Sequence, residues 1–287
     1  SDVCSSDLPA YSVQWKSYGS IVGSWNMLVY GVGMFLMEKI SQDKSYSRSS
    51  MAFALYFLGL FNLMFNWSHH IYTLPVNPAI RHVGYLVSMT ELFILGRIIY
   101  KWKSSVTAAQ KNIHNLSYRF LVIADVWIFI NLFLAILISI PAINVYTHGT
   151  HITVAHVMGT TIGINTMLLL AVAIDLLSDT CRSLKPYYPQ IIRASWLANI
   201  SLFVFLASLF VAGVERSRWQ MSVQAEPFSQ MMKGLAPYFI VFAIAGLMLF
   251  VSFSFIVFPL LKNTLSCFIQ PRQRSIVEFK TAFDRVK

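Results

Sequence analysis

The chain has 287 residues, 56% of them hydrophobic and only 12% charged, with a formal net charge of +10 and a mean hydropathy of +0.59. Soluble domains carry about twice that share of charge, so the composition excludes a soluble enzyme and points to an integral membrane protein. Apart from Arg97, which lies near the inner end of the third run and can snorkel, the cations fall in or at the edges of the gaps between apolar runs, so they read as a membrane-topology signal with no nucleic-acid partner implied.

In chain order, the first eight residues, SDVCSSDL, lack the basic region and apolar core of a signal peptide and read as a sequencing or cloning artefact. Residues 9–20 contain no start Met and lead straight into an apolar run, so the sequence reads as the C-terminal part of a longer protein. Seven runs follow, at about 21–38, 51–68, 84–100, 119–141, 152–174, 191–214 and 237–258. Each is close to the roughly 20 residues a helix needs to cross the hydrocarbon layer. With no water there to satisfy backbone groups, helices are the expected solution. The expectation is an all-α, polytopic transmembrane bundle over 9–262, ending in a basic tail over 263–287.

Lys and Arg are retained on the cytoplasmic side of short loops. Sixteen cations lie in the first, third and fifth connections and the tail, against five (Lys16, Arg81, Arg216, Arg218 and Lys233) on the opposite side. That bias puts the tail inside and the start of the chain outside. Cys181 and Cys267 then fall on the inner side without CxxC spacing and read as reduced and structural.

Under this topology six of the seven histidines gather at the outer face: His69 and His70 at the end of the second run, His82 beyond it, and His148, His151 and His156 at the entry of the fifth. Clustered imidazoles in an apolar layer are costly unless they bind metal, haem or protons. Adjacent His69 and His70 suit two ligands converging on one metal. His156 lies about one turn inside the fifth run, with Gly159, Thr160 and Gly163 on its own face, where small residues leave room for a flat macrocycle. Met158 projects about 200° away, on a face with Thr161 and Asn165. Glu91, buried in the third run at similar depth, reads as a proton donor or relay. Asp125 reads as an interfacial residue and Asp175 as a solvated one at the inner end of the fifth run.

The stretches NWSHHIYTLPV, GYLVSMTELFILG and NVYTHGTHITVAHVMGTTIGINTMLLLA resemble the catalytic subunit of the haem-copper oxidase superfamily, nearest to the large subunit of nitric oxide reductase. The resemblance covers nearly everything after residue 9, and implies that the seven runs match the last seven of that family's twelve helices. It implies His69 and His70 as ligands of a non-haem metal, iron in the reductases and copper in the oxidases. It further implies His156 as the axial ligand of a high-spin haem b facing that metal, Glu91 as the buried proton-transfer glutamate, and His148 as a residue near the haem propionates. In the family a second haem ligand follows the first by two residues; here Met158 stands there, implying His/Met ligation of a low-spin haem or the absence of that haem. The third non-haem ligand, expected in the first run, has no histidine to match it.

The function so implied is reduction of gaseous nitric oxide to nitrous oxide in a bacterial inner membrane, with the histidine site toward the outer face. Electrons would come from a cytochrome c-type donor or a small cytochrome subunit. Two alternatives accompany it: a cbb-type terminal oxidase reducing oxygen, and a non-catalytic haem-binding paralogue that has lost metal ligands.

Overall fold

The computed structural model describes residues 23–45, 48–50, 52–54, 56–57, 77–180, 184–223 and 226–269. His69 and His70 lie outside the described residues. Among the described residues there is no strand, and the principal helices are α1 (Ser24–Ser41), α2 (Pro78–Ser105), α3 (Ala108–Ile113), α4 (Asn115–Ser139), α5 (Pro141–Thr147) and α6 (His151–Met158). A π-helix (Gly159–Thr166) continues α6 into α7 (Met167–Thr180), and α8 (Tyr188–Gln220), α9 (Phe228–Gly234) and α10 (Ala236–Ile269) follow.

Four stretches among the described residues are long and apolar enough to cross a membrane: Asn115–Ser139, His151–Ser178, Lys185–Gln220 and Ala236–Cys267. They coincide with the fourth to seventh expected spans. The third expected span falls within α2 and most of the first within α1, helices that are less apolar; α2 carries Arg81, Glu91, Arg97, Lys101 and Lys103 along its length. Most of the second expected span lies outside the described residues.

The long rod formed by α6, the π-helix and α7 is central. It packs against α4 on one side and α8 on another; α1 lies along α7, α2 along α4, and α10 along α8. The α8–α10 pair shows why the sequence folds this way. In α10 the buried residues Ala245, Leu249, Ser252, Ile256, Leu260 and Asn263 recur every three or four positions, and α8 buries a matching stripe that includes Ala194, Ala198, Leu202, Phe205 and Leu209. Small residues and the Phe205–Phe242 ring pair, 4.3 Å between centroids, let the two helices close on one another. The other faces of α10 remain apolar and exposed, with Leu247, Phe250 and Phe258 all more than 60% accessible. A stripe that packs and a remainder that is greasy is the pattern of a helix whose solvent is lipid.

Specific polar contacts fix the relative heights of these helices. Trp102 of α2 donates from its indole Nε1 to the Met37 carbonyl of α1 at 3.0 Å, and Trp127 of α4 donates to Asn199 Oδ1 of α8 at 2.7 Å. Thr107 and Gln110 form a reciprocal capping box at the start of α3. Gln110 also reaches the Ser41 carbonyl at the end of α1 at 2.7 Å, closing the connection between α1, α2 and α3.

Two acidic residues sit differently from the sequence reading. Asp175, expected to be solvated, is 2% exposed. Its carboxylate receives Lys39 Nζ of α1 at 2.7 Å and approaches His114 Nδ1 at 2.7 Å, so it joins α1, the start of α4 and α7. Asp125, expected at an interface, is likewise 2% exposed, with Lys103 Nζ of α2 at 3.9 Å. Asp175 is buried with a cation in direct contact, whereas both Asp125 oxygens are buried without a hydrogen-bond partner and Lys103 stands at the limit of an ion pair. Cys267, expected to be reduced, is disulfide-bonded, and its partner lies outside the described residues.

Candidate functional site

The histidine-rich end of the central rod is built by a tight turn. Residues 147–150 leave α5 and enter α6; Gly149 adopts φ +69°, a left-handed conformation that glycine takes without a side-chain penalty. Thr150 then caps α6, its hydroxyl accepting from the Ile152 amide at 3.3 Å and donating to the Thr147 carbonyl at 2.7 Å. Thr153 donates to the same carbonyl at 3.1 Å, so the turn is held from both sides.

That turn places three histidines in sequence along one end. His148 ends α5, its amide bonded to the Asn144 carbonyl at 2.8 Å, and its ring is half-buried. His151 opens α6 with its ring edge-on to Phe239 of α10, centroids 5.1 Å apart. Behind it, Gly213 of α8 comes so close that an added Cβ would stand 2.5 Å from the Ile152 amide nitrogen, so α6 and α8 touch backbone to backbone. His156 lies one turn deeper, and its Nδ1 is buried with no hydrogen-bond partner, as is the Nδ1 of His151.

The surroundings of His156 correct one expectation. Gly159 and Gly163 are not open space for a macrocycle; they are where α4 presses against the rod. A Cβ on Gly159 would stand 2.6 Å from Asn131 Oδ1, and one on Gly163 would stand 2.7 Å from Trp127 Cγ. Asn131 Nδ2 donates to Thr160 Oγ1, which in turn donates to the His156 carbonyl at 3.2 Å. The backbone of the histidine turn is thereby tied to α4. Asn131, buried and polar in an apolar helix, is a site-supporting residue that sequence reading missed. The signal available was its depth in the fourth run, close to that of His156.

The remaining expected site residues are distributed as follows. Met158 is half-buried and packs against the apolar core. Glu91 lies on α2, and its side chain falls outside the description. His69 and His70 are likewise outside it. Among the described residues no group of three His, Cys, Asp or Glu side chains converges as a metal site.

A haem ligand must offer a neutral imidazole nitrogen in an apolar setting. His156 fits that chemistry: it sits in a membrane-crossing rod, and its buried ring nitrogen has no protein partner, an arrangement that is costly if nothing else is bound.

A family model described as Cytochrome C and Quinol oxidase polypeptide I matches residues 8–248. The fold is similar to that of a solved chain described as "Cryo-EM structure of a heme-copper terminal oxidase dimer provides insights into its catalytic mechanism", with a TM-score of 0.58 and 16% sequence identity. The match covers 74% of this chain and 41% of that one, so the region in common spans less than half of the solved chain. At that identity the likeness is one of fold. No curated protein sequence matches.

Proposed function

We propose that this chain, which belongs to the Cytochrome C and Quinol oxidase polypeptide I family, works in a membrane respiratory oxidoreductase that reduces nitric oxide to nitrous oxide. The observation that carries the reading is His156, an imidazole with an unpartnered buried nitrogen in a membrane-crossing rod, within the run that resembles the reductases. In this reading His156 holds the iron of a high-spin haem b, and His69 and His70 hold a non-haem iron. When bound, that pair supplies electrons and a place where two substrate nitrogens meet, which turns a bimolecular encounter into a local one. The overall conversion takes two nitric oxide molecules, two electrons and two protons to nitrous oxide and water.

The chain's own residues do the rest. Glu91 passes protons into the dry site, His148 positions a propionate or water at its outer edge, and the Asn131–Thr160 link keeps the His156 turn at a fixed height. Met158 stands where the resemblance puts a second haem ligand and would hold a low-spin haem if one is bound, which would supply an entry point for electrons from a cytochrome c-type donor or a small cytochrome subunit. The charge bias between loops supports an orientation with the histidine end facing outward, and the resemblance implies a bacterial inner membrane.

Oxygen reduction at copper is the second reading, supported by the similar solved chain's description as a terminal oxidase. Membranes containing the full-length protein separate the two when supplied with a reduced cytochrome donor and either gas. Nitrous oxide release with non-haem iron by elemental analysis supports the reductase; oxygen uptake with copper supports the oxidase. Haem without a second metal, and neither activity, would overturn both.

A further inference from the structure

At the histidine end, α8, α9 and α10 form a half-open pocket of about 430 Å³ that the reading above does not use. That volume lies in the range of small-ligand sites, about 300–1,000 Å³. The floor is apolar: Met231 and Leu235 are 4% and 2% exposed and pack with Ala212. Trp219 and Tyr238 supply aromatic walls. Trp219 is fixed by its indole nitrogen, which donates to the Glu226 carbonyl at 2.7 Å, and by Phe228 edge-on at 5.8 Å. The rim carries Glu215, Arg218 and Glu226, with Arg218 Nη1 at 3.2 Å from Glu215 Oε1.

Position and charge together define the ligand. One candidate membrane-crossing stretch ends at Gln220 and the next begins at Ala236, so the pocket lies between the ends of two such helices, near where Trp and Tyr are enriched and phospholipid headgroups lie. A guanidinium beside two carboxylates and two aromatic rings matches a zwitterion. Arg218 suits a phosphate, while Glu215 and Glu226 accept N–H bonds from an ammonium whose charge also favours the ring faces. An anionic headgroup would meet two carboxylates for one cation, and a trimethylammonium has no N–H to donate.

The geometry points to this pocket as a binding site for the phosphoethanolamine headgroup of a membrane phospholipid. The acyl chains then lie toward the exposed apolar flanks of α8 and α10, where Phe210 and Ile240 are accessible.

The test uses the full-length protein reconstituted in bilayers with equal parts of phosphatidylethanolamine, phosphatidylglycerol and phosphatidylcholine, then extracted and weighed by native mass spectrometry. Phosphatidylethanolamine is expected to be retained over the other two by about ten-fold. That preference should fall to parity in Glu226→Gln and in Arg218→Gln, both exposed positions whose exchange leaves the thermal midpoint in place. Equal retention of the three lipids, or a preference that survives both variants, overturns the site. Soluble phosphoethanolamine, supplied without lipid, distinguishes a free ligand from a membrane one: retention of the soluble compound with no lipid preference overturns the lipid assignment.

Discussion

His156 and Asp175 lie on one rod and illustrate two ways a polar side chain survives in an apolar layer. His156 has no protein partner at its buried Nδ1, whereas Asp175 has two cationic or donor neighbours, Lys39 and His114, both at 2.7 Å. The difference sets two predictions. In the full-length protein His156→Ala should remove the high-spin haem band from the reduced-minus-oxidised spectrum, while His151→Ala, which alters a ring packed on Phe239, should leave it; equal effects would mean that the axial assignment is misplaced. Asp175→Asn leaves Lys39 facing a neutral group in a buried position, and a loss of about 3 kcal/mol is expected, measured by unfolding in detergent. An unchanged midpoint would mean the pair contributes nothing. The depth of His156 was legible in the sequence, but the burial of Asp175 and its partners were not: Lys39 and His114 are far away along the chain, and no periodicity brings them together.

At the scale of elements, the tight fit of α4 against the central rod is the feature open to direct attack. Gly163→Ala would place a Cβ 2.7 Å from the Trp127 ring, which is itself anchored to Asn199, so the helices must separate or the indole must move. Overpacking of this kind costs about 1–3 kcal/mol, and the expected result is a lowered thermal midpoint that Trp127→Phe partly restores. No change in the single variant would show that α4 does not touch the rod there. The glycines were visible in the sequence as a small-residue face beside His156, yet smallness records only that something comes close. A planar cofactor and a neighbouring helix leave the same trace, and here the neighbour is α4.

For the whole molecule, the long apolar runs were the legible part, because length and hydropathy alone fix a crossing helix. Four expected spans reappear as long apolar helices, and the third and most of the first lie in helices that are less apolar. Loop charge predicts that reporters fused after Ser45 and after Ser222 will report opposite sides of the membrane, the first inside and the second outside. The same side for both would break the alternation on which the topology rests.

The π-helix between Gly159 and Thr166 gives the rod a phase that helical counting cannot supply. Its i→i+5 bonds accommodate more residues per turn than an α-helix, so the face carrying His156 and the face carrying Asp175 are not related by adding 100° per residue. A widened turn of this kind behaves like an inserted residue. Removing one residue between Gly159 and Thr166 would allow the segment to wind as an ordinary α-helix with both flanks left close to their present phase, whereas removing one in α7 before Asp175, where no widened turn absorbs it, would rotate everything after it by about 100°. Asp175 would swing away from Lys39 and His114 although neither had been altered. The register of this rod is therefore a property carried jointly by its two ends, and a change in chain length past the widened turn would be felt at the end farthest from the histidines.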